Sequence, residues 1–337
     1  TKYWTPEEQN TLLVPFSGTI LYNRILWLSI AGLLTFISYY KFSFSQFLQP
    51  FVWWKRKSSD ETITSDRQIP LSQLPIPKQD FSFMAQWKNL AYLAKFEFLK
   101  MVKSSFFIII SALGMVMMFV LAQYMDAMYE TATYPVTYKI LENVAGIFQF
   151  FILILVVFFS GTIIWREREE KVDELVGATP VSNTQLYFSK YLGLIGVVAV
   201  LEIITILTGI SIQLSMSYTN IEPFHYLISA FRMLVGFSIT IGLCLAVQVY
   251  TPNKYLGFFL SLVPLLFMSI VFSLLEWNNQ IYMFGSDGPA MPYSDMNGYG
   301  HTTATWFLYN SYWGSIVLVL GLFAIMIFSR GKEKRWK

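Results

Sequence analysis

Between Trp165 and Lys190 the chain reads WREREEKVDELVGATPVSNTQLYFSK, a dense run of ionisable side chains set between two long apolar stretches. Arg166, Arg168 and Lys171 are interleaved with Glu167, Glu169, Glu170, Asp173 and Glu174, so a helix here can pair charges at i,i+3 and i,i+4, Glu167 with Lys171 among them. Val172, Leu175 and Val176 add a small apolar edge that can pack on something. Pro180 is expected to stop the helix, and Ser182 or Asn183 to cap the next one. Such a segment offers mechanical chemistry, ion pairing and docking, rather than catalysis. Reactive groups elsewhere are sparse: His225 and His301 are the only histidines, and Cys244 is the only cysteine. The chain has neither a Gly-x-x-x-x-Gly-Lys-Ser/Thr loop to cradle nucleotide phosphates nor a His-Glu-x-x-His zinc pair. No catalytic, cofactor-binding or metal-ligating residue is expected on it, and it is not expected to be an enzyme.

The elements that hold this segment follow from composition. With 55% hydrophobic, 18% aromatic and 13% charged residues, the chain is suited to a lipid-facing surface. Seven stretches are long enough to cross a bilayer as helices, near Ile20 to Tyr40, Phe106 to Tyr124, Val144 to Trp165, Tyr191 to Leu214, Ala230 to Tyr250, Leu256 to Leu275 and Tyr312 to Phe328. The runs are continuously apolar, not alternating, which argues against a β-barrel. The predicted fold is therefore all-α, a polytopic transmembrane helical bundle. Of 24 Lys and Arg, 20 fall in the segments 41–105, 166–190, 251–255 and 329–337. Basic flanks are retained on the cytoplasmic side, so the first residue is expected outside and the last inside. The net charge of +3 is then a topology signal, and no nucleic-acid partner is expected.

Glu202 is the only formal charge deep within an apolar run, and burying it should cost roughly 2.5 to 3.5 kcal/mol on insertion scales. It should face the bundle interior with a partner, Arg232 or Gln248 by depth, so Glu202 and Gln248 are the candidate intramembrane polar residues. Trp87 to Ser105 is amphipathic at helical spacing. Trp87, Leu90, Ala91, Ala94, Phe98, Met101 and Val102 fall on one face, with Lys88, Lys95, Lys100 and Lys103 opposite. This pattern predicts a helix lying in the cytoplasmic interface, its lysines toward anionic headgroups. Ser43 to Asp80, with Pro70, Pro75 and Pro77, reads as a linker. The odd number of spans and the start at Thr1 suggest a piece of something longer. Leu21-Tyr22-Asn23 and Leu308-Tyr309-Asn310 each open a span, which would make the first span the final helix of an upstream half.

At Glu-Arg-Glu, Asp173-Glu174-Leu175, Ala178-Thr179-Pro180-Val181-Ser182 and Lys190 the chain resembles the coupling-helix region of type-2 ABC exporter permeases. Tyr134-Pro135-Val136-Thr137, Asn253-Lys254-Tyr255-Leu256-Gly257 and the Pro292 to Gly300 string are similar to a bacterial subfamily in which two permease halves are fused and a zinc aminopeptidase-like domain follows. This resemblance implies an outer segment and final helix of an upstream half over 1–42, a cytoplasmic linker over 43–84 and a connecting helix over 85–105. A six-helix permease domain over 106–330 and a basic cytoplasmic tail over 331–337 would follow. It implies a coupling helix over 166–183, in which Glu167, Arg168, Glu169, Val172, Glu174, Leu175, Val176, Thr179 and Pro180 meet an ABC nucleotide-binding subunit that carries ATP and Mg. The other implied partners are a second permease half and the lipid bilayer, in a bacterial cytoplasmic membrane.

The resemblance also implies partly re-entrant helices in the outer segment 276–311, with Tyr293, Asp295, Asn297, Tyr299 and His301 at an outer gate. Asp295, Asn297 and Gly298 share the opening spacing of a calcium loop, but Trp306 stands where the acid ligand of the twelfth position belongs. Two other readings fit the spans. An ion-coupled secondary transporter would use Glu202, and a membrane-anchoring module would serve a fused peptidase-like domain. The basic split makes a direct prediction about topology. Ser59→Cys and Ser182→Cys in a Cys244→Ala chain should be shielded from a membrane-impermeant thiol reagent in intact cells, while Ser286→Cys should react. Labelling of position 182 from outside would overturn the orientation.

Overall fold

Apolar runs in lipid can satisfy their backbone groups only internally, and the described parts of those runs are helical. The computed structural model describes Thr5 and residues 18–41, 82–123, 134–277, 279–288, 293–294 and 296–328. The expected tail at 331–337, and all of the expected linker except 82–84, lie outside the described residues. The chain divides into two units, Thr1–Pro77 and Lys78–Lys337. In the first, α1 (Thr19–Lys41) is one uninterrupted helix.

The second unit contains α2 (Phe83–Val102), α3 (Ser105–Ala122), α4 (Ala145–Glu169), α5 (Asp173–Gly177), α6 (Asn183–Ser215), α7 (Pro223–Tyr250), α8 (Lys254–Leu262), α9 (Met268–Leu274) and α10 (Thr303–Ile327). A π-helical turn, Ile140–Val144, leads into α4, and a second, Val263–Phe267, joins α8 to α9. Pro264 lies in the second of these, where its missing N–H and its ring displace the regular ladder. Seven helical segments among the described residues are long and apolar enough to cross a membrane, as the hydropathy predicts.

Starts are set by side-chain caps. Ser82, Ser104, Ser182 and Asn253 accept from the backbone N–H of Ala85, Phe107, Gln185 and Leu256, and Gln185 closes a capping box on Ser182. The box starts α6 at Asn183, well before the apolar run at Tyr191. At 33 residues α6 is about 50 Å long, more than the hydrocarbon core requires. Likewise α4 continues through Arg166 to Glu169, and α10 begins at Thr303, not near Tyr312. Hydropathy marks the lipid-facing window, whereas the helices run on wherever tertiary partners satisfy their polar ends.

The core is built by α4, α6 and α7, with Leu155, Phe159 and Ile163 meeting Leu194, Val197 and Leu201, and Ile241, Cys244 and Leu245 completing it. The helix α2 packs along α6 on most of the predicted stripe, with Leu90, Ala94, Phe98 and Val102 half-buried and Met101 buried, but Glu97 joins that face at 6% exposed and Trp87 is left out of it at 54% exposed. Gly193 explains the close approach. A Cβ there would stand 3.0 Å from the Glu97 Cβ and 3.3 Å from the Ala94 carbonyl oxygen.

A second close junction joins α4, α7 and α8 around Gln248, which is fully buried. Its Oε1 accepts from Trp165 Nε1 at 3.0 Å. Its amide occupies space that Gly257 leaves open, and a Cβ on Gly161 would stand 2.9 Å from Gln248 Nε2 and run into the Phe258 ring. The Asn-Lys-Tyr-Leu-Gly string thereby gains a physical reading: Asn253 caps α8, Lys254 pairs with Glu169, and Gly257 admits the amide. Gly257→Ala should lower the thermal midpoint in detergent, since overpacking costs about 1–3 kcal/mol. Combined with Gln248→Ala it should lose less than the sum of the two single losses, and strict additivity would show that the two residues do not share this space.

Candidate functional site

Where α2, α4 and α6 meet, two acids and two bases are gathered together. Glu97 of α2 accepts from both arms of Arg166 of α4, at 2.7 Å and 2.6 Å, the bidentate geometry that makes such pairs strong. Lys190 of α6, its side chain 1% exposed, donates to Glu167 Oε1 at 2.5 Å and to the Ile163 carbonyl at 2.9 Å. The same ammonium lies 3.9 Å from Glu97 Oε1, so the four charges form one connected set. The Phe96 ring lies beneath Arg166, 5.9 Å from its guanidinium carbon. Two outer pairs flank the cluster, Lys100 with Glu170 and Lys254 with Glu169, each at 3.1 Å.

These partners correct the local pairing expected within the charged run. Glu167 does not pair with Lys171; it binds Lys190, which the fold brings in from the next long helix. Lys171 instead ends the helix. Its φ of 57° is left-handed, Val172 N donates to Glu167 O at 2.9 Å and Lys171 N to Arg168 O at 3.2 Å, which is a Schellman stop. The expected 166–183 coupling helix is therefore two pieces. Residues 166–169 are the last turn of α4, and after the stop the chain forms the five-residue α5.

Past the stop, the side chains face outward. Leu175 is 71% exposed and Glu174, Thr179 and Pro180 are exposed, while Val172 and Val176 are half-buried. Thr179 Oγ1 donates to Val176 O at 2.6 Å, closing the turn before Pro180. Arg168 lies over the Trp165 ring at 5.0 Å. Glu167, Arg168 and Glu169 thus belong to the joint, and Val172 through Pro180 form a ledge beyond it.

The residue that sequence reasoning missed is Glu97. Its signal was present, since it is the only acid in α2 and stands between Phe96 and Phe98 on an otherwise basic helix. Glu202 also departs from expectation. It is 6% exposed, but neither Arg232 nor Gln248 is its partner, and its Oε1 accepts no hydrogen bond among the described residues. Gln248 is held by Trp165 near one end of α7, and Arg232 lies over the Tyr299 and Trp306 rings at 4.8 Å and 5.6 Å toward the other. Depth alone placed these residues too coarsely along the helix.

At the end of the bundle away from the charge cluster, a polar staple ties Tyr134 to Thr137 to the helices. Buried Gln213 donates to Pro135 O at 2.9 Å and to Thr137 Oγ1 at 3.2 Å, and accepts from Tyr226 OH at 2.9 Å. Of the expected gate residues, Tyr293 and Tyr299 converge. The Tyr293 ring stacks on Tyr138 at 5.3 Å, meets His225 edge-on at 4.3 Å and lies 5.5 Å from Tyr299. Glu222 Oε2 lies 2.8 Å from His225 Nδ1. Burial raises the Tyr299 phenol above its ordinary value, with the Arg232 guanidinium working against it, so it stays a neutral hydroxyl. Asn297 and His301 are exposed, and Asp295 lies outside the described residues. In place of re-entrant helices, the described part of this segment has 3-10 turns at Gln280–Tyr282 and Gly300–Thr302 and a bridge between Ser294 and Gly298. Left-handed glycines at 285, 288 and 298 break any continuous helix there.

The charge cluster carries a stability prediction. Glu97→Leu leaves Arg166 without its bidentate carboxylate, which should cost about 3–5 kcal/mol, read as a lowered thermal midpoint. Removing both partners, Glu97→Leu with Arg166→Leu, should recover part of that loss. A midpoint for Glu97→Leu equal to the parent's would show that the cluster carries no stability.

No curated protein matches the chain. The profile of the ABC-2 family transporter proteins matches residues 93–274, from within α2 to the end of α9 and across the whole joint and ledge. That match takes in more than half of the 337 residues, and the chain belongs to the ABC-2 transporter family, a membrane-spanning permease component that works with an ABC nucleotide-binding subunit.

Proposed function

We propose that the chain is the permease of an ATP-driven exporter and that the ledge from Val172 to Pro180 is where ATP hydrolysis on the partner subunit, which carries ATP and Mg, is converted into helix movement. The single observation behind this reading is Leu175. A leucine 71% exposed on a five-residue helix, outside the apolar spans and close to a buried ion-pair cluster, is suited to docking on a soluble partner. A push on α5 would reach α4 and α6 through the Schellman stop and the Glu97, Arg166, Lys190, Glu167 set, and α2 would move with them. Two spans and the connecting helix would then tilt as one lever, alternating or widening a path at the interface with a second permease half.

In this reading the basic end of the bundle faces the cytoplasm of a bacterial inner membrane, and the Tyr293, Tyr299 and His225 cluster is part of the outer gate, with Asp295, Asn297 and His301 close in sequence. The Asn253 to Gly257 and Pro292 to Gly300 strings support a place in the fused subfamily with a zinc aminopeptidase-like domain. The test is at the ledge. Leu175→Asp or Val176→Asp would bury a new carboxylate at a closed interface, a desolvation worth several kcal/mol. Co-purification of the nucleotide-binding subunit and ATP-dependent transport should both be lost, with membrane insertion and thermal midpoint unchanged. Glu170→Ala should be tolerated, because its pair with Lys100 is exposed on both sides and such pairs contribute roughly 0–1 kcal/mol. Wild-type partner binding and transport in Leu175→Asp would reduce the ledge to a solvated hairpin.

A further inference from the structure

Most of the apolar stripe of α2 is taken up by α6, so the face that α2 turns outward is the opposite one. Along it Met84, Lys88, Tyr92, Lys95, Leu99 and Lys103 follow one another at steps of three or four residues, which places them on a single ridge of the helix. At 1.5 Å per residue the ridge is about 28 Å long. Cation and apolar side chain alternate along its whole length. All six residues are exposed, Tyr92 at 80%.

The ridge carries one sign of charge. Glu97, the only acid of α2, is turned the other way and held by Arg166. Among the described residues Lys88, Lys95 and Lys103 form no ion pair, whereas Lys100, Lys190 and Lys254 at the same end each meet a carboxylate. Hydrocarbon would leave three ammonium groups unmatched, and water would leave Met84, Tyr92 and Leu99 uncovered. A headgroup layer suits both kinds of side chain, because its phosphates lie directly above the acyl chains. The ridge also ends where such a layer is reached. Ser104 alone separates Lys103 from α3, a helix long and apolar enough to cross a membrane, and exposed Trp87 and Phe96 flank the ridge with the aromatic rings that favour that depth.

We propose that this ridge is a docking surface for anionic phospholipid, its three lysines each taking a headgroup phosphate while Met84, Tyr92 and Leu99 enter between the headgroups. A net negative lipid such as phosphatidylglycerol is selected over phosphatidylcholine, whose own ammonium would be set among three others with no carboxylate to meet it. A membrane surface fits the ridge better than an acidic soluble protein does, since the alternate positions are apolar and the ridge leads straight into a span. The inference stands apart from the coupling reading, because lipid is measured on the chain alone, at rest.

Native mass spectrometry of the full chain, released from nanodiscs of phosphatidylglycerol and phosphatidylcholine in equal parts with the same acyl chains, tests this by the lipid that stays bound. The parent should retain phosphatidylglycerol in clear preference. Lys88→Gln, Lys95→Gln and Lys103→Gln combined should lower that preference at least fivefold, and Lys95→Gln alone should lower it in part. The thermal midpoint in phosphatidylcholine nanodiscs should be unchanged, since the three side chains are exposed. Lys100→Gln, which removes a lysine already paired with Glu170, should leave the preference intact. Equal retention of the two lipids by the parent overturns the proposal. So does a preference that survives the triple substitution, including the case in which that variant loses the nucleotide-binding subunit instead, which would assign the ridge to a protein partner. A loss from Lys100→Gln as large as from the triple variant would make the effect one of net charge and overturn it too.

Discussion

Glu97 and Arg166 meet through two parallel hydrogen bonds, and the helices at the basic end of the bundle are placed relative to that contact. A carboxylate in a helix that packs against apolar spans would be costly alone, and so would a guanidinium at the end of one. Together they fix the distance and rotation of α2 against α4 within the tolerance of a bidentate pair. Lys190, donating to Glu167 and the Ile163 carbonyl, fixes α6 against α4 by the same means. Gly193, one turn along α6, then lets α2 come close enough for Glu97 to lie near both bases. Displacing any of these three helices would leave the cluster with an unmatched charge.

Polar contacts fix the bundle at both ends, while its middle relies on shape. Near the charge cluster are the ion pairs and the Trp165–Gln248 bond; at the opposite end are Gln213, Tyr226, Thr137 and the aromatic cluster around Tyr293. Between them, Leu155, Phe159, Leu194, Val197, Leu201 and Leu245 pack without directional bonds. Close packing in the middle resists continuous deformation of the helices.

The ledge beyond the cluster has the opposite character. Its helix is five residues long, its apolar side chain is exposed, and a left-handed Lys171 separates it from α4. A helix that short gains little from its own hydrogen bonds and takes its stability from what it packs against. Its rigidity comes from the Schellman stop on one side and the Ser182 capping box on the other, so it is held at both ends while its face stays open.

Much of the fold was legible in the sequence. Apolar windows about 20 residues long identify spans because a helix satisfies its own backbone groups in lipid, and Ser182 and Pro180 mark helix boundaries because capping and ring closure are local. The exposed ledge was legible for the same reason, since Leu175 follows Asp173 and Glu174 on a short segment closed by Pro180. Pairing, by contrast, came from the three-dimensional arrangement alone. Glu97 and Arg166 are 69 residues apart in sequence, and Trp165 and Gln248 are 83 apart. Charge pattern within one helix favoured Glu167 with Lys171, but a buried ammonium from α6 binds more tightly than an exposed neighbour, because the low dielectric strengthens the pair and leaves the lysine no alternative in water. Amphipathicity marked most of the packed face of α2, from Leu90 and Ala94 to Met101, but left out Glu97, because a hydrophobic stripe counts carbon and a carboxylate paired from another helix gives no such signal.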